Sequence, residues 1–205
     1  MITTKEKILM TALRLFAKDG YEAVSVSTIA GELGITKGAL YKHYKNKRDI
    51  FESIVQRMSE IDTERSQHYE VPKEKYEDAP MNYEKVLIEN IKNFTAAQFR
   101  FWTEDDFASN FRKMLTLEQY RNTEMAELYS DCITLGPVTY MEDIFREMIL
   151  KGMLKKADPK QLAIEFYAPM YLLINISDTS TDKEKLLDLL NVHIQKFIQN
   201  NIMEG

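Results

Sequence analysis

The chain is poor in the residues that interrupt helices and in those that staple loops. Seven glycines and five prolines are spread over 205 residues, and there is one cysteine, Cys132. A lone cysteine excludes an internal disulfide and any cysteine-ligated zinc cluster. Scarce Gly and Pro, beside plentiful Leu, Ile, Met, Ala, Glu and Lys, argue for an all-α chain. No apolar run is suited to a membrane: the stretch Leu162 to Ile176 is too short to span one and holds Glu165 and Pro169. A glycine-rich phosphate loop and a nucleophile elbow are both missing. Glu104, Asp105 and Asp106 are adjacent carboxylates, but neighbours in sequence do not share a helix face. His68 and His193 have no partner at metal-ligand spacing. The expectation is a chain that is not an enzyme and needs neither metal nor cofactor. A secretory leader is not expected either, because the N-terminus enters a capping box, Thr3-Thr4-Lys5-Glu6, directly; the expected compartment is the cytoplasm.

Positive charge is scarce over the whole chain but not at one end. The formal net charge is −5, which taken alone argues against a nucleic-acid partner. Residues 1–50, however, carry nine Lys/Arg against five Asp/Glu, a net of +4, while the other 155 carry 18 against 27, a net of −9. Between Thr36 and Arg48 stand four lysines, one arginine and one histidine, with no acid. The local count points to phosphate. It does not fit a non-specific architectural binder, which would spread basic charge along its length.

The basic stretch sits in a pattern with a mechanism. From Val26 a short apolar-periodic helix runs to Leu33, with Ile29 and Leu33 four apart and facing the core. Ala30 sits where a second helix crosses. Gly34 ends the first helix, where a left-handed residue is needed. Ile35 and Leu40 return to the core. Thr36 is a natural N-cap for the second helix, which carries Lys37, Tyr41, Lys42, His43 and Tyr44. This is a helix-turn-helix whose second helix presents its N-terminal end to a major groove.

Here the chain resembles a known family. The run Ser25-Val26, Ile29-Ala30, then Leu33 to Lys47, then Ile50-Phe51, looks like the N-terminal domain of TetR-type transcriptional regulators. Upstream, Ile8, Ala12, Leu13 and Phe16 form one helical face that Gly20-Tyr21 closes. The resemblance covers about residues 5–55, a quarter of the chain. Tyr44 stands where the pattern more often has Phe, and it keeps the ring. The resemblance implies DNA contacts at Ser25, Ser27, Thr28, Thr36, Lys37, Gly38, Tyr41, Lys42, His43 and Lys47. Tyr41, His43 and Lys47 are the implied phosphate binders, Lys47 following an Asn46 N-cap. Ser25, Ser27 and Thr28 are placed to give hydroxyl bonds to phosphates, and Thr36, Lys37 and Lys42 are the candidates for base readout. The implied function is a repressor on double-stranded DNA with a pseudo-palindromic operator, released by a small apolar or aromatic effector. The alternative is a constitutive or activating regulator with no ligand.

Residues 1–50 form the helix-turn-helix domain in this reading, and residues 51–205 a helical effector-binding and dimerisation domain. The helix after Asn46 is expected to reach about Ser66. A polar connection over residues 67–82, with Pro72 and Pro80, follows. Further helices are expected over about 83–101, 117–134 and on to Lys151, with a break near Glu104-Asp105-Asp106 and another at Gly136-Pro137. Gly152 ends that run. Asp158-Pro159 is a cap with a first-turn proline, opening a helix to about Ile176. Thr181 to Glu184 is a second capping box, and the last helix ends near Asn201.

The last two helices are the expected homodimer interface. The first of them is apolar almost all round, so it needs cover on every side, and two such pairs close a four-helix bundle. The residues named for it are Tyr167, Met170, Tyr171, Ile174, Leu187, Leu190, Ile194 and Phe197. The middle helices are rich in Phe, Tyr and Met, which make adaptable apolar walls. An effector pocket is expected there, lined from among Phe94, Phe99, Trp102, Phe107, Phe111, Met114, Tyr120, Tyr129, Met141 and Tyr171.

Overall fold

Eight of the ten described helices begin at a side chain that accepts an orphan amide. The computed structural model describes residues 3–68 and 80–202, and these form ten helices with no strand. They are α1 (Thr4–Asp19), α2 (Val26–Glu32), α3 (Lys37–Tyr41), α4 (Lys47–His68), α5 (Pro80–Glu104), α6 (Asp106–Glu118), α7 (Thr123–Ile133), α8 (Leu135–Leu150), α9 (Pro159–Ile176) and α10 (Lys183–Asn201). The all-α expectation holds. The connection expected over residues 67–82 lies for the most part outside the described residues, as does the side chain of His68.

Caps set the boundaries. The side chains of Thr3, Ser25, Thr36, Asp105, Asp158 and Asp182 each accept a hydrogen bond from the amide three residues on, which satisfies one of the donors a helix start leaves open. Three expectations change. The cap of α10 is Asp182 rather than Thr181, with Lys185 N–H donating at 3.0 Å. A continuous helix over 117–134 does not form: α6 stops at Glu118, and Asn122 starts α7 by accepting from Met125 N–H at 3.1 Å. The capping box at the N-terminus is half made, because Glu6 turns its carboxylate to Arg57 instead of back to Thr3.

The described helices divide into two compact units, one of residues 1–73 with 105–127 and one of 74–104 with 128–205. In the first unit α1 packs against α2, α4 and α6. Its interior is Ile8, Leu13, Phe16, Ile29, Leu40, Ile50, Phe51 and Ile54, joined by Phe107, Phe111 and Met114 of α6. In the second unit α8 lies along α9, and α10 packs on α5 and α9. Its core holds a ring cluster, with Phe145, Phe166 and Phe197 centroids 5.2–5.5 Å apart. The segment after α8 is tied to the end of α10 by Lys155 N–H donating to the Asn201 carbonyl at 2.8 Å. Packing therefore draws its division elsewhere than residue 50: α4 and α6 belong with the first three helices. No helix among the described residues is long and apolar enough to cross a membrane.

Candidate nucleic-acid interface

The turn between α1 and α2 is the base on which the motif stands. Gly20 ends α1 with φ +87°, a conformation that favours glycine. Tyr21 follows, and its backbone is held on both sides. Its N–H donates to Glu118 Oε1 at 2.9 Å, and its carbonyl accepts from Lys47 Nζ at 2.8 Å. Its ring packs against Phe16 and Phe51, with centroids 5.0 and 5.4 Å away, and lies beneath Lys47 Nζ at 4.2 Å. Burial pushes the Tyr21 phenol above its ordinary pKa, while the Arg48 charge pulls the other way.

Helix α2 starts at Ser25, whose Oγ accepts from Thr28 N–H at 3.1 Å and lies 2.9 Å from Thr28 Oγ1. The two hydroxyls are thus partly engaged with each other, while Ser27 is exposed. At the C-terminal end, Ile35 N–H donates to the Ala30 carbonyl at 3.0 Å and Gly34 N–H to the Gly31 carbonyl at 3.1 Å, with Gly34 at φ +64°. That is the double-bonded left-handed cap expected from Gly34. Ile29, Ala30 and Leu40 are buried as expected, but Leu33 and Ile35 are only half-buried. They sit at the cap and in the turn, where the chain reverses and one side stays open.

Helix α3 is short and points its polar side chains outward. Thr36 caps it, accepting from Ala39 N–H at 3.1 Å. Lys37, Gly38, Lys42 and His43 are exposed, and Tyr41 is 50% exposed. Lys37, Lys42 and Lys45 make no ion pair among the described residues. A Cβ on Gly38 would meet only Thr36 Oγ1, at 3.8 Å, so nothing in the chain itself calls for glycine there. Tyr44, by contrast, is buried, and its hydroxyl donates to the Lys5 carbonyl at 3.3 Å. Burial first, then the carboxylates of Glu6 and Asp49, push its phenol up to about 12.

The start of α4 departs from the sequence reading. Asn46 is the N-cap, accepting from Asp49 N–H at 2.8 Å. Lys47, expected at phosphate, is turned inward onto the Tyr21 carbonyl, with Glu22 Oε2 3.7 Å away. Its ammonium finds an acceptor and a ring face there, which is why it is not exposed. Arg48 was counted with the basic stretch, yet each nitrogen of its guanidinium already has a carboxylate partner. Nη1 and Nη2 donate to the two Glu124 oxygens at 2.6 Å each, and Nε to Glu52 Oε1 at 2.8 Å. These bonds, led by that to Glu124, raise the Arg48 pKa further and hold the Glu124 carboxyl below its ordinary range. Sequence spacing carries no signal for Glu118 or Glu124, which reach the motif from about 75 to 97 residues away.

The residues named for an effector pocket are divided between the two units. Phe107, Phe111 and Met114 fill the first unit's core, whereas Phe99 and Met141 fill the second's, with Phe94, Trp102 and Tyr171 half-buried against it. Tyr120 is 88% exposed, past the end of α6. Tyr129 and Tyr171 do meet, with hydroxyls 2.8 Å apart. A surface cleft of about 500 Å³ lies elsewhere, in the first unit, lined by Lys5, Glu6, Tyr44, Glu52, Arg57 and Glu60 among others. It is charged rather than apolar.

The named dimer residues are also placed differently. Tyr167, Met170, Ile174, Leu187, Leu190, Ile194 and Phe197 are already buried within one chain, and Tyr171 is half-buried. Tyr167 even spends its hydroxyl on the Ile133 carbonyl at 2.7 Å. The apolar residues left open on the same helices are Ile164, Leu172 and Ile176 of α9 and Leu189 and Val192 of α10. The stripe read from the sequence was the core-facing one.

Comparison with known proteins agrees with this geometry. Residues 8–54 match the family described as bacterial regulatory proteins, tetR family. The HTH-type transcriptional regulator YerO of Bacillus subtilis is 50% identical over 46 residues, 22% of this chain and 16% of that one. The HTH-type transcriptional regulator AcrR of Shigella flexneri is 45% identical over 51 residues, 25% of this chain and 24% of that one. The chain thus matches only a sixth to a quarter of these relatives' length. Beyond the motif the likeness is one of fold. The structure of SmeT, the repressor of the Stenotrophomonas maltophilia multidrug efflux pump SmeDEF, aligns over 99% of this chain and 92% of that one, with TM-score 0.66 and 20% identity. The matched proteins are transcriptional regulators, and residues 8–54 of this chain are a domain of the kind found in the tetR family of bacterial regulatory proteins.

Proposed function

We propose that the protein is a ligand-responsive repressor that binds a pseudo-palindromic operator as a homodimer. One observation carries the DNA-binding part: a doubly capped turn delivers a short helix whose Lys37, Gly38 and Tyr41 are exposed, as are Lys42 and His43 just past its end, with no acid beside them in sequence. Gly38 fits this reading, since the closeness it permits is to something outside the chain. Ser25, Ser27, Thr28 and Thr36 supply neutral hydrogen-bonding groups at two helix starts, where phosphate is favoured. Lys47 enters as a brace for the motif, its ammonium donating to the Tyr21 and Glu22 carbonyls.

The dimer face belongs to Ile164, Leu172, Ile176, Leu189 and Val192, which one chain leaves open. A helix-turn-helix monomer makes few contacts, and pairing two half-sites is the usual remedy. The effector part draws on the aromatic and Met-rich second unit and its Tyr129–Tyr171 hydroxyl pair, and on the SmeT fold neighbour, whose structure is also known as a triclosan complex. A neutral, mostly apolar effector suits such walls. A repressor works where the DNA is, in the cytoplasm.

The test is binding to a duplex from the region upstream of the chain's own coding sequence, against a scrambled duplex, across a salt series. Preference for the native duplex is expected, with a loss of roughly 10³–10⁵ in affinity between about 50 and 200 mM salt for 6–10 phosphate contacts. Equal binding to both duplexes overturns the operator reading. A rise in apparent stability with an apolar compound in excess separates the ligand-responsive form from a constitutive one.

A further inference from the structure

The helix-turn-helix is held by a residue outside it. Glu118, the last residue of α6, is 1% exposed and yet carries a carboxylate. Its Oε1 accepts from Tyr21 N–H at 2.9 Å, 97 residues away along the chain. Arg121 Nη1 stands 3.9 Å from the same oxygen, and Oε2 has no hydrogen-bond partner among the described residues. A buried carboxylate with so few bonds is costly to keep unless its position matters. Gly20 adds a second observation. A Cβ there would come within 2.7 Å of Glu118 Oε1, so the bare Cα at the end of α1 is also what lets the carboxylate in. The opposite edge of the same residue is held by Lys47, and the same turn of chain that follows Glu118 brings Glu124 onto Arg48, the next residue of α4.

Resting on the DNA-binding reading above, we infer that Glu118 is a positioning residue for operator binding. It fixes Tyr21 from one side while Lys47 fixes it from the other, and Tyr21 sits four residues ahead of the Ser25 cap. Tyr21 is the point where α1, the lead into α2 and the start of α4 meet, through its backbone and through its ring on Phe16 and Phe51. Phosphate contacts set the register of a reading helix on DNA, and they succeed only if α2 and α4 start where they should. Glu118 supplies that without touching DNA.

The experiment compares Glu118→Ala and Glu118→Gln with the wild-type chain in three readouts: affinity for the native and scrambled duplexes, the salt slope, and amide exchange at Tyr21. Glu118→Ala is expected to speed exchange at Tyr21 and to lower native-duplex affinity about tenfold, the scale of one hydrogen bond to a charged group. The salt slope stays that of the wild type, since no phosphate contact is removed. Glu118→Gln keeps an acceptor oxygen in place and is expected to restore affinity to within about threefold of wild type. Should Glu118→Ala fail to fold, Glu118→Asp, which keeps the charge and withdraws the oxygen by one methylene, takes its place. Faster exchange at Tyr21 with unchanged native-duplex affinity overturns the proposal, as does unchanged exchange. Loss of affinity that Gln does not restore also counts against it. A wild-type chain with no preference for the native duplex overturns the DNA-binding reading instead, and the exchange result still reports on the hydrogen bond.

Discussion

The two packing units reach order by opposite routes. In the first, helix starts are placed by neighbouring polar groups: Ser25, Thr36 and Asn46 each cap a helix from within three residues, and Gly34 closes the turn between α2 and α3. In the second, long helices are placed by what lies far away in sequence, a core of Phe, Tyr, Met and Leu drawn from α5, α8, α9 and α10. The first unit leaves polar and basic side chains open, and the second leaves Leu172, Ile164 and Val192 open. What each unit shows to the outside is what it is proposed to bind: phosphate for one, a second copy of the chain for the other.

The largest effect is expected from the second unit's core. Phe145 is buried and packs its ring against Phe166 and Phe197 at 5.5 and 5.4 Å. Phe145→Ala should cost about 3–5 kcal/mol, from lost transfer energy and the cavity left behind. Denaturant unfolding measures the loss, and amide exchange shows where it falls. If the comparison holds, α9 and α10 lose protection far more than α2 and α3. Equal loss in both would make the units one cooperative body and end the contrast.

An intermediate effect is expected at the proposed dimer face. Leu172 is 58% exposed in one chain, so Leu172→Glu should change the stability of a monomer by no more than about 0.5 kcal/mol. In a dimer the same change buries an unpaired charge, a cost of about 3–5 kcal/mol on breaking or misplacing such a group. Sedimentation at several concentrations should show the variant as a monomer where the wild type is a dimer. A variant that stays dimeric removes this face from the proposal and leaves the second unit's open apolar residues unexplained.

The same contrast decides what could be read from the sequence. In the first unit the spacing of Ile8, Ala12, Leu13 and Phe16, the Gly34 turn and the Thr36 cap are local, and local patterns survive in one dimension. The cap at Asp158 was legible for the same reason, and so was the break near Glu104-Asp105-Asp106, though not the cap that Asp105 makes there. Asp182 beat Thr181 because both are acceptors one residue apart, and the choice lies in backbone geometry. The helix expected over 117–134 failed at Asn122, whose capping role competes with an otherwise apolar-periodic run. Lys47 read as a phosphate ligand, and Arg48 as part of the basic stretch, because their partners, the Tyr21 carbonyl and Glu124, are brought to them only by the fold. For α9 and α10 periodicity gave a stripe but not its destination. An apolar stripe reads the same whether it meets its own chain or another, and here the broader stripe turned inward.

The smallest effect sharpens the first unit's side of the contrast. Tyr44 is buried, and its hydroxyl makes one bond among the described residues, to the Lys5 carbonyl at 3.3 Å. Near neutral pH Tyr44→Phe should therefore cost only about 0.5–1 kcal/mol. The pH dependence separates ring from hydroxyl. Burial, with help from Glu6 and Asp49, raises the phenol from 10.0 to about 12, so the folded chain prefers it neutral. A raised pKa means that this contribution is fully present below the unfolded value of 10.0 and is lost as pH climbs from there through about 12. Removing the hydroxyl removes that alkaline loss. The wild type should lose stability relative to Tyr44→Phe as pH rises above 10, measured by urea midpoint. What slope remains in the variant belongs in part to Tyr21, whose phenol burial also raises. A flat difference between the two proteins across that range would mean that Tyr44 ionises as freely in the fold as out of it, and that its ring is less enclosed than the packing of α1 against α4 requires.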